Sequence, residues 1–285
     1  MKLSPATLLL GVGLFSLSLQ TAQAALVTAD ISYDSAGRSN TMDQRSQSLT
    51  RSGSDVVALD SRFDFSDVSR NSPDVGAAAD HGSMHAFSSL HLGGIGKSVI
   101  SWQDSVTNAS AAAQNYQMNI SLKNLAFSFA PVEGDSNFTS GYMAEVLVNG
   151  QSVWHSSQMF NIRNNNQVSI DKQGFDIGTA VDRDPSEEFY SFTIGDYAGK
   201  VGLGSFAAGQ TATVTYQLTS LVSWDAPNAC ADMECGRYVS AYLADPFDIQ
   251  AGSRVVVAVP EADTWAMMLG GLGVLGLLAR RRRQN

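Results

Sequence analysis

Lysine is nearly missing from the body of this chain. Between residues 25 and 259 it occurs only at Lys97, Lys123, Lys172 and Lys200. Setting aside Lys2, the four arginines near the C-terminus, Glu261 and Asp263 leaves 13 basic and 25 acidic residues, so that body is near −12. A surface of that sign argues against nucleic acid and anionic lipid as partners, because both bind through clustered Lys and Arg. Cysteine is as scarce. Cys230 and Cys235 are the whole supply, and they are spaced neither as Cys-x-x-Cys nor with a second pair or histidine nearby, which argues against a redox motif and a zinc site. Gly-x-Ser-x-Gly and His-Glu-x-x-His are both missing, which lowers the expectation of hydrolytic chemistry. Gly93-Gly94-Ile95-Gly96-Lys97-Ser98 lacks the phosphate-loop spacing and reads as a turn.

What is present is alternation. Tyr116-Gln117-Met118-Asn119-Ile120-Ser121-Leu122 places apolar side chains at every second position, the mark of a strand with one wet and one buried face. After Lys123 and Asn124 the pattern resumes in Leu125-Ala126-Phe127-Ser128-Phe129. Tyr142 to Val148 and Ser152 to His155 flank Asn149-Gly150, a pair that favours the positive φ values of a type I′ hairpin. Further strands are expected at 84–90, 189–194, 212–218, 221–224, 238–243 and 254–259. Residues 35–54 read as a long loop or edge, and 104–114 as a short helix or insertion. Many strands, polar turns and no βαβ rhythm predict an all-β antiparallel sandwich, with a jelly roll as one form of it. The body is long enough for one large sandwich and shows no internal linker.

The two ends carry signals of another kind. Lys2, an apolar core from Leu8 to Leu19, and Ala22-Gln23-Ala24 ahead of Ala25 have the layout of a cleaved secretory signal, so residues 1–24 are expected to be removed. At the other end Pro260-Glu261-Ala262-Asp263-Thr264-Trp265 leads into an apolar run from Ala266 to Ala279, then Arg280, Arg281, Arg282 and Arg283. That run is near the lower limit of the roughly 17–25 residues needed to span a bilayer. The arginines orient it with the body outside the inner membrane and the tail tip inside. A plain tail anchor would show the same apolar run and arginines.

The Pro-Glu element, the apolar helix containing Trp265 and the terminal arginine cluster, in that order, resemble the PEP-CTERM sorting signal of Gram-negative bacteria. Ala262 stands where the name motif has a second proline. The resemblance implies processing by exosortase, a membrane-embedded enzyme, at a motif made here by Pro260, Glu261, Ala262, Thr264 and Trp265. It also implies an association with exopolysaccharide and biofilm matrix. The expected organisation is a signal peptide over 1–24, a sandwich ectodomain over 25–259 and a sorting signal with its transmembrane helix over 260–285. Expected partners are signal peptidase, an exosortase-like enzyme, the inner membrane in transit and exopolysaccharide.

Candidate sites in the body are few. After export Cys230 and Cys235 are expected to close a local disulfide. His81, His85 and His91 lie close in sequence, but Met84 to Leu90 reads as a strand, which separates their side chains and favours polar surface histidines over a metal site. No cofactor is expected; acidic turns at Asp60, Asp64 and Asp67 and at Asp182 and Asp184 leave calcium open, without EF-hand spacing. Of Trp102, Trp154 and Trp224, Trp154 beside the Asn149-Gly150 hairpin is the expected sugar contact. The functional expectation is an exported, non-catalytic structural or adhesive matrix protein; the alternatives are a carbohydrate-binding module and an exopolysaccharide hydrolase.

Overall fold

The alternating segment around Tyr116 forms one long strand, and four other strands pair with it. The computed structural model describes residues 25–34, 44–53, 59–62, 74–80, 83–90, 94–129, 137–163, 167–178, 180–182, 190–225, 239–245 and 256–259, with Leu272 and Arg280 in the tail. These hold β1 (Ala25–Asp34), β2 (Gln44–Gly53), β3 (Leu59–Arg62), β4 (Asp74–Asp80), β5 (Ser83–Leu90), β6 (Gly94–Thr107), β7 (Gln114–Phe129) and β8 (Asn137–Val148). They continue through β9 (Gln151–Arg163), β10 (Gln167–Gly174), β11 (Val181–Asp182), β12 (Tyr190–Ile194), β13 (Tyr197–Phe206), β14 (Thr211–Asp225), β15 (Val239–Asp245) and β16 (Val256–Val259).

All pairings are antiparallel, in two sheets. One runs β10-β9-β8-β14-β6-β1-β2; the other runs β11-β12-β7-β15-β5-β4-β3, with β13 and β16 also on β7. The expected all-β sandwich is what the chain forms. β7 carries two partners along each edge: β12 and β13 on one, β15 and β16 on the other. Its break at Lys123-Asn124 is a bulge, with both residues exposed and Asn124 at φ 55°. The extra residue shifts the inward set from Tyr116, Met118, Ile120 and Leu122 to Leu125, Phe127 and Phe129, so both halves face the core.

Aromatic packing fills the centre. Phe127 stacks on Phe160 at 4.6 Å and lies 6.0 Å from Tyr142, while Phe160 reaches Phe192 at 5.2 Å. Phe129 meets Phe138 edge-on, and Phe138 stacks on Trp224 at 5.1 Å. Each such ring removes enough apolar surface from water to contribute about 1.5–3 kcal/mol. Towards β5 and β15 the core changes character. Ser140 Oγ donates to Ser240 O at 2.6 Å and Ser220 Oγ to Ala241 O at 3.0 Å, crossing from one sheet to the other. Small hydroxyl side chains let the two backbones approach there, each hydroxyl donating to a carbonyl of the facing strand.

Two local expectations are corrected and a third is narrowed. Gly94 to Ser98 is not a turn but the start of β6, with Gly94, Gly96 and Ser98 buried. No helix forms over 104–114: residues 104–107 finish β6, and the connection to β7 is organised by buried Asn108. Asn108 Nδ2 lies 2.8, 2.8 and 3.0 Å from the carbonyls of Ala112, Phe206 and Ala207, and Oδ1 accepts from Ser110 N and Oγ. Part of the segment read as loop or edge, Gln44–Gly53, is the edge strand β2. The hairpin holds as expected, with Asn149 at φ 51° and Gly150 at φ 77°.

Candidate functional site

The three tryptophans of the body separate cleanly. Trp102 and Trp224 are core residues, each 2% exposed, and their indole nitrogens find no hydrogen-bond partner. Trp154 is half-buried. A bulge opposite Val146 and Leu147 resets the phase of β9, so that Trp154 shares the inward face with Ser156, Gln158 and Phe160 but lies where the sandwich opens.

Two further rings meet it there. Phe175 leaves the end of β10, and its amide donates to His155 O at 2.8 Å. Gly174 makes the turn at φ 75°, and a Cβ there would run into His155 O and its ring, so only glycine fits. Tyr197 opens β13 from the other sheet, its ring laid over the bare backbone of Gly199, where a Cβ would strike the phenol. Trp154 and Tyr197 are nearly parallel, 12° apart with centroids 6.5 Å apart; Phe175 lies 6.1 Å from Trp154 and 5.6 Å from Tyr197. Phe175 is 49% exposed. Burial raises the Tyr197 phenol above its usual pKa, so it stays neutral and keeps its proton to donate.

Residues 175–178 continue from β10 and are tied back to β9 and β10. Ile177 is buried, and Gly178 O accepts from Gln158 Nε2 and from Lys172 Nζ, both at 2.9 Å. Lys172 Nζ also pairs with Asp176 Oδ1 at 3.2 Å. The Gly178 amide, and then Lys172, hold the Asp176 carboxyl, next to Phe175 in the chain, below its ordinary pKa. Trp154 was legible as a candidate; Phe175 and Tyr197 were not, being 21 and 43 positions away in sequence.

Elsewhere, a cleft of about 340 Å³ lies at the other end of β8 and β9, lined by Asn137, Phe138, Thr139, Asn161, Ile162 and Arg163. Thr139 Oγ1 donates to Asn161 Oδ1 at 2.8 Å, and Asn161 Nδ2 to Asp171 Oδ2 at 3.0 Å. Its lining holds no carboxylate. Among the described residues no cluster of three His, Cys, Asp or Glu side chains is placed to hold a metal. His85 is partly buried beside Tyr242, 6.3 Å between rings. Cys230, Cys235, His81, His91, Asp64, Asp67, Asp184, Ala22, Ala24, Pro260 to Trp265 and Arg281 to Arg283 lie outside the described residues, as do the side chains of Asp60 and Asp182.

The C-terminal junction is the other place where geometry bears on function. β16 pairs with β7 through Val256↔Met118, Val257↔Gln117, Ala258↔Tyr116 and Val259↔Asn115, and the Pro-Glu element begins at the next residue. At the opposite end Ala25, the residue after the expected signal cut, is the first of β1 and pairs with Gly53. Beyond β16, Leu272 and Arg280 have helical backbone and are exposed; among the described residues no helix is long and apolar enough to cross a membrane.

Compared with known proteins, residues 258–283 match the PEP-CTERM protein-sorting motif. No curated protein matches the chain. The motif marks the chain as one exported through the membrane to the surface or beyond, with exosortase as its processing enzyme.

Proposed function

We propose that this chain is a non-catalytic structural or adhesive component of the extracellular matrix, carried across the inner membrane, held there by its tail and then released or transferred by an exosortase-like enzyme. The observation that carries the reading is the junction at Val259, where the sorting motif begins within β16, the last described strand. An enzyme cutting just beyond Val259 would remove the apolar tail and leave every described strand in place. A body rich in hydroxyl and amide side chains, with few charges and those mostly acidic, suits a secreted protein, and the lining of the polar cleft offers no acid and base pair to a glycosidic bond.

Fractionating a host that contains the sorting enzyme tests the reading, comparing the full chain with one lacking residues 260–285. The full chain should reach the surface or medium with a mass lacking both ends, while the deletion should change where it accumulates. Unchanged localisation, or mature molecules that still carry Arg283, would overturn it.

A further inference from the structure

We infer that the ledge of Trp154, Phe175 and Tyr197 binds a neutral pyranose unit of a polysaccharide. The inference rests on the extracellular destination proposed above, since only there would the ledge meet such a polymer.

The first ground is that Phe175 is held in water by backbone geometry. A left-handed glycine at 174 and the amide bond to His155 O fix the chain where it turns, and the ring beyond them remains 49% exposed. The ledge is also preformed. Tyr197 lies flat because Gly199 has no side chain, and Trp154 is parallel to it within 12°, so binding would freeze few rotamers. An aromatic face is electron-rich and attracts the polarised C–H edge that a pyranose presents.

The ion pair of Lys172 with Asp176, the residue after Phe175, selects the ligand. Lys172 Nζ and Asp176 Oδ1 lie 3.2 Å apart and offset one another in charge, leaving donor and acceptor side by side with no net charge. Adjacent hydroxyls of a neutral sugar use both, since each hydroxyl donates and accepts. An anionic polymer would need a cation free of a carboxylate, and Lys172 is already paired. Centroid separations of 5.6–6.5 Å make a compact triangle, with Phe175 tilted 42° from Trp154 and 54° from Tyr197, that seats a single sugar unit. Monovalent binding should therefore be weak, and retention on a polymer should depend on many copies engaging at once.

The test uses the full chain purified in detergent. Its migration is measured in gels containing hydroxyethyl cellulose, a neutral polymer, or alginate, an acidic one, with Trp fluorescence followed during titration with cellohexaose. Because Phe175 is exposed, Phe175→Ala should leave the fold intact, and an unchanged far-ultraviolet spectrum checks this. The expected result is retardation by the neutral polymer alone, weakened at least threefold in Phe175→Ala and restored in Phe175→Trp. Retardation only by alginate, retardation indifferent to Phe175, or none at all would overturn the inference. So would concentration-dependent self-association abolished by Phe175→Ala, which would assign the ledge to a second copy of the chain. The localisation comparison reads destination independently, so failure of the ledge and failure of the sorting reading are distinguishable.

Discussion

Tyr216 donates its phenolic hydrogen to Asp245 Oδ2 across 2.6 Å, at the centre of the sandwich, with Asp245 wholly buried. The bond ties β14 of one sheet to β15 of the other, and the same oxygen accepts from Ser121 N on β7 at 3.1 Å. Tyr216→Phe deprives a buried carboxylate of a donor, and a hydrogen bond to such a group is worth roughly 1.5–3 kcal/mol. Urea unfolding should show a loss of about 2 kcal/mol with an unchanged slope; a loss near zero would mean that the pair contributes nothing net.

Alkaline stability follows from Tyr142. Burial pushes its phenol up to about 12, partly offset by the bond to Ser156 Oγ at 3.0 Å. The unfolded phenol ionises near pH 10. Between these values the unfolded state loses its proton while the folded state keeps it, so stability falls as pH rises, by about 1.4 kcal/mol per unit. Tyr216, raised well above its ordinary value by burial and then by Asp245, acts in the same direction above pH 10. Tyr142→Phe should flatten the fall in urea midpoint between pH 9.5 and 11.5, and an identical profile would refute the assignment.

Two glycines should respond unequally to alanine. At Gly141, inside β8, a Cβ would collide with Met159 Sδ and with the backbone oxygen of Gln158. Overpacking of that kind costs roughly 1–3 kcal/mol, and backbone on one side leaves little room to relax. Gly150 has open space around it and only its φ of 77° to lose, at about 1 kcal/mol. Thermal melts should place Gly141→Ala below Gly150→Ala; the reverse order would be inconsistent with this packing.

Asn108 lies in an Asn-x-Ser sequence, yet its amide nitrogen is already shared among three carbonyls and its side chain is buried. Peptide mass mapping from a glycosylating host should find Asn108 unmodified. Asn108→Ala should cost about 2–3 kcal/mol in urea unfolding, because the buried Phe206 carbonyl and two partly buried ones lose their donor together.

How far the chain could be read depended on how local each signal was. Asn149-Gly150 announced its hairpin because the required positive φ belongs to those two residues alone. β13 was missed because Gly199, Gly202 and Gly204 thin out its alternation; it is a strand only because β7 offers it an edge. β10 was missed for the opposite reason: as an outer strand it is almost wholly exposed, and nothing in its pattern needs a buried face. Gly94 to Ser98 looked like a turn until β1 and β14 paired with it from both sides.

The order of residues alone determined the destination, since a sorting signal is read as a linear string by enzymes that meet it before or apart from the fold. Folding decided which tryptophan stays partly exposed. Trp102, Trp154 and Trp224 all sit in strands of similar composition, and their burial differs because strand pairing and a bulge in β9, set by residues far along the chain, place two within the core and one at its open edge. The same long-range pairing brought Phe175 and Tyr197 beside Trp154, a meeting that no spacing along the polypeptide could encode.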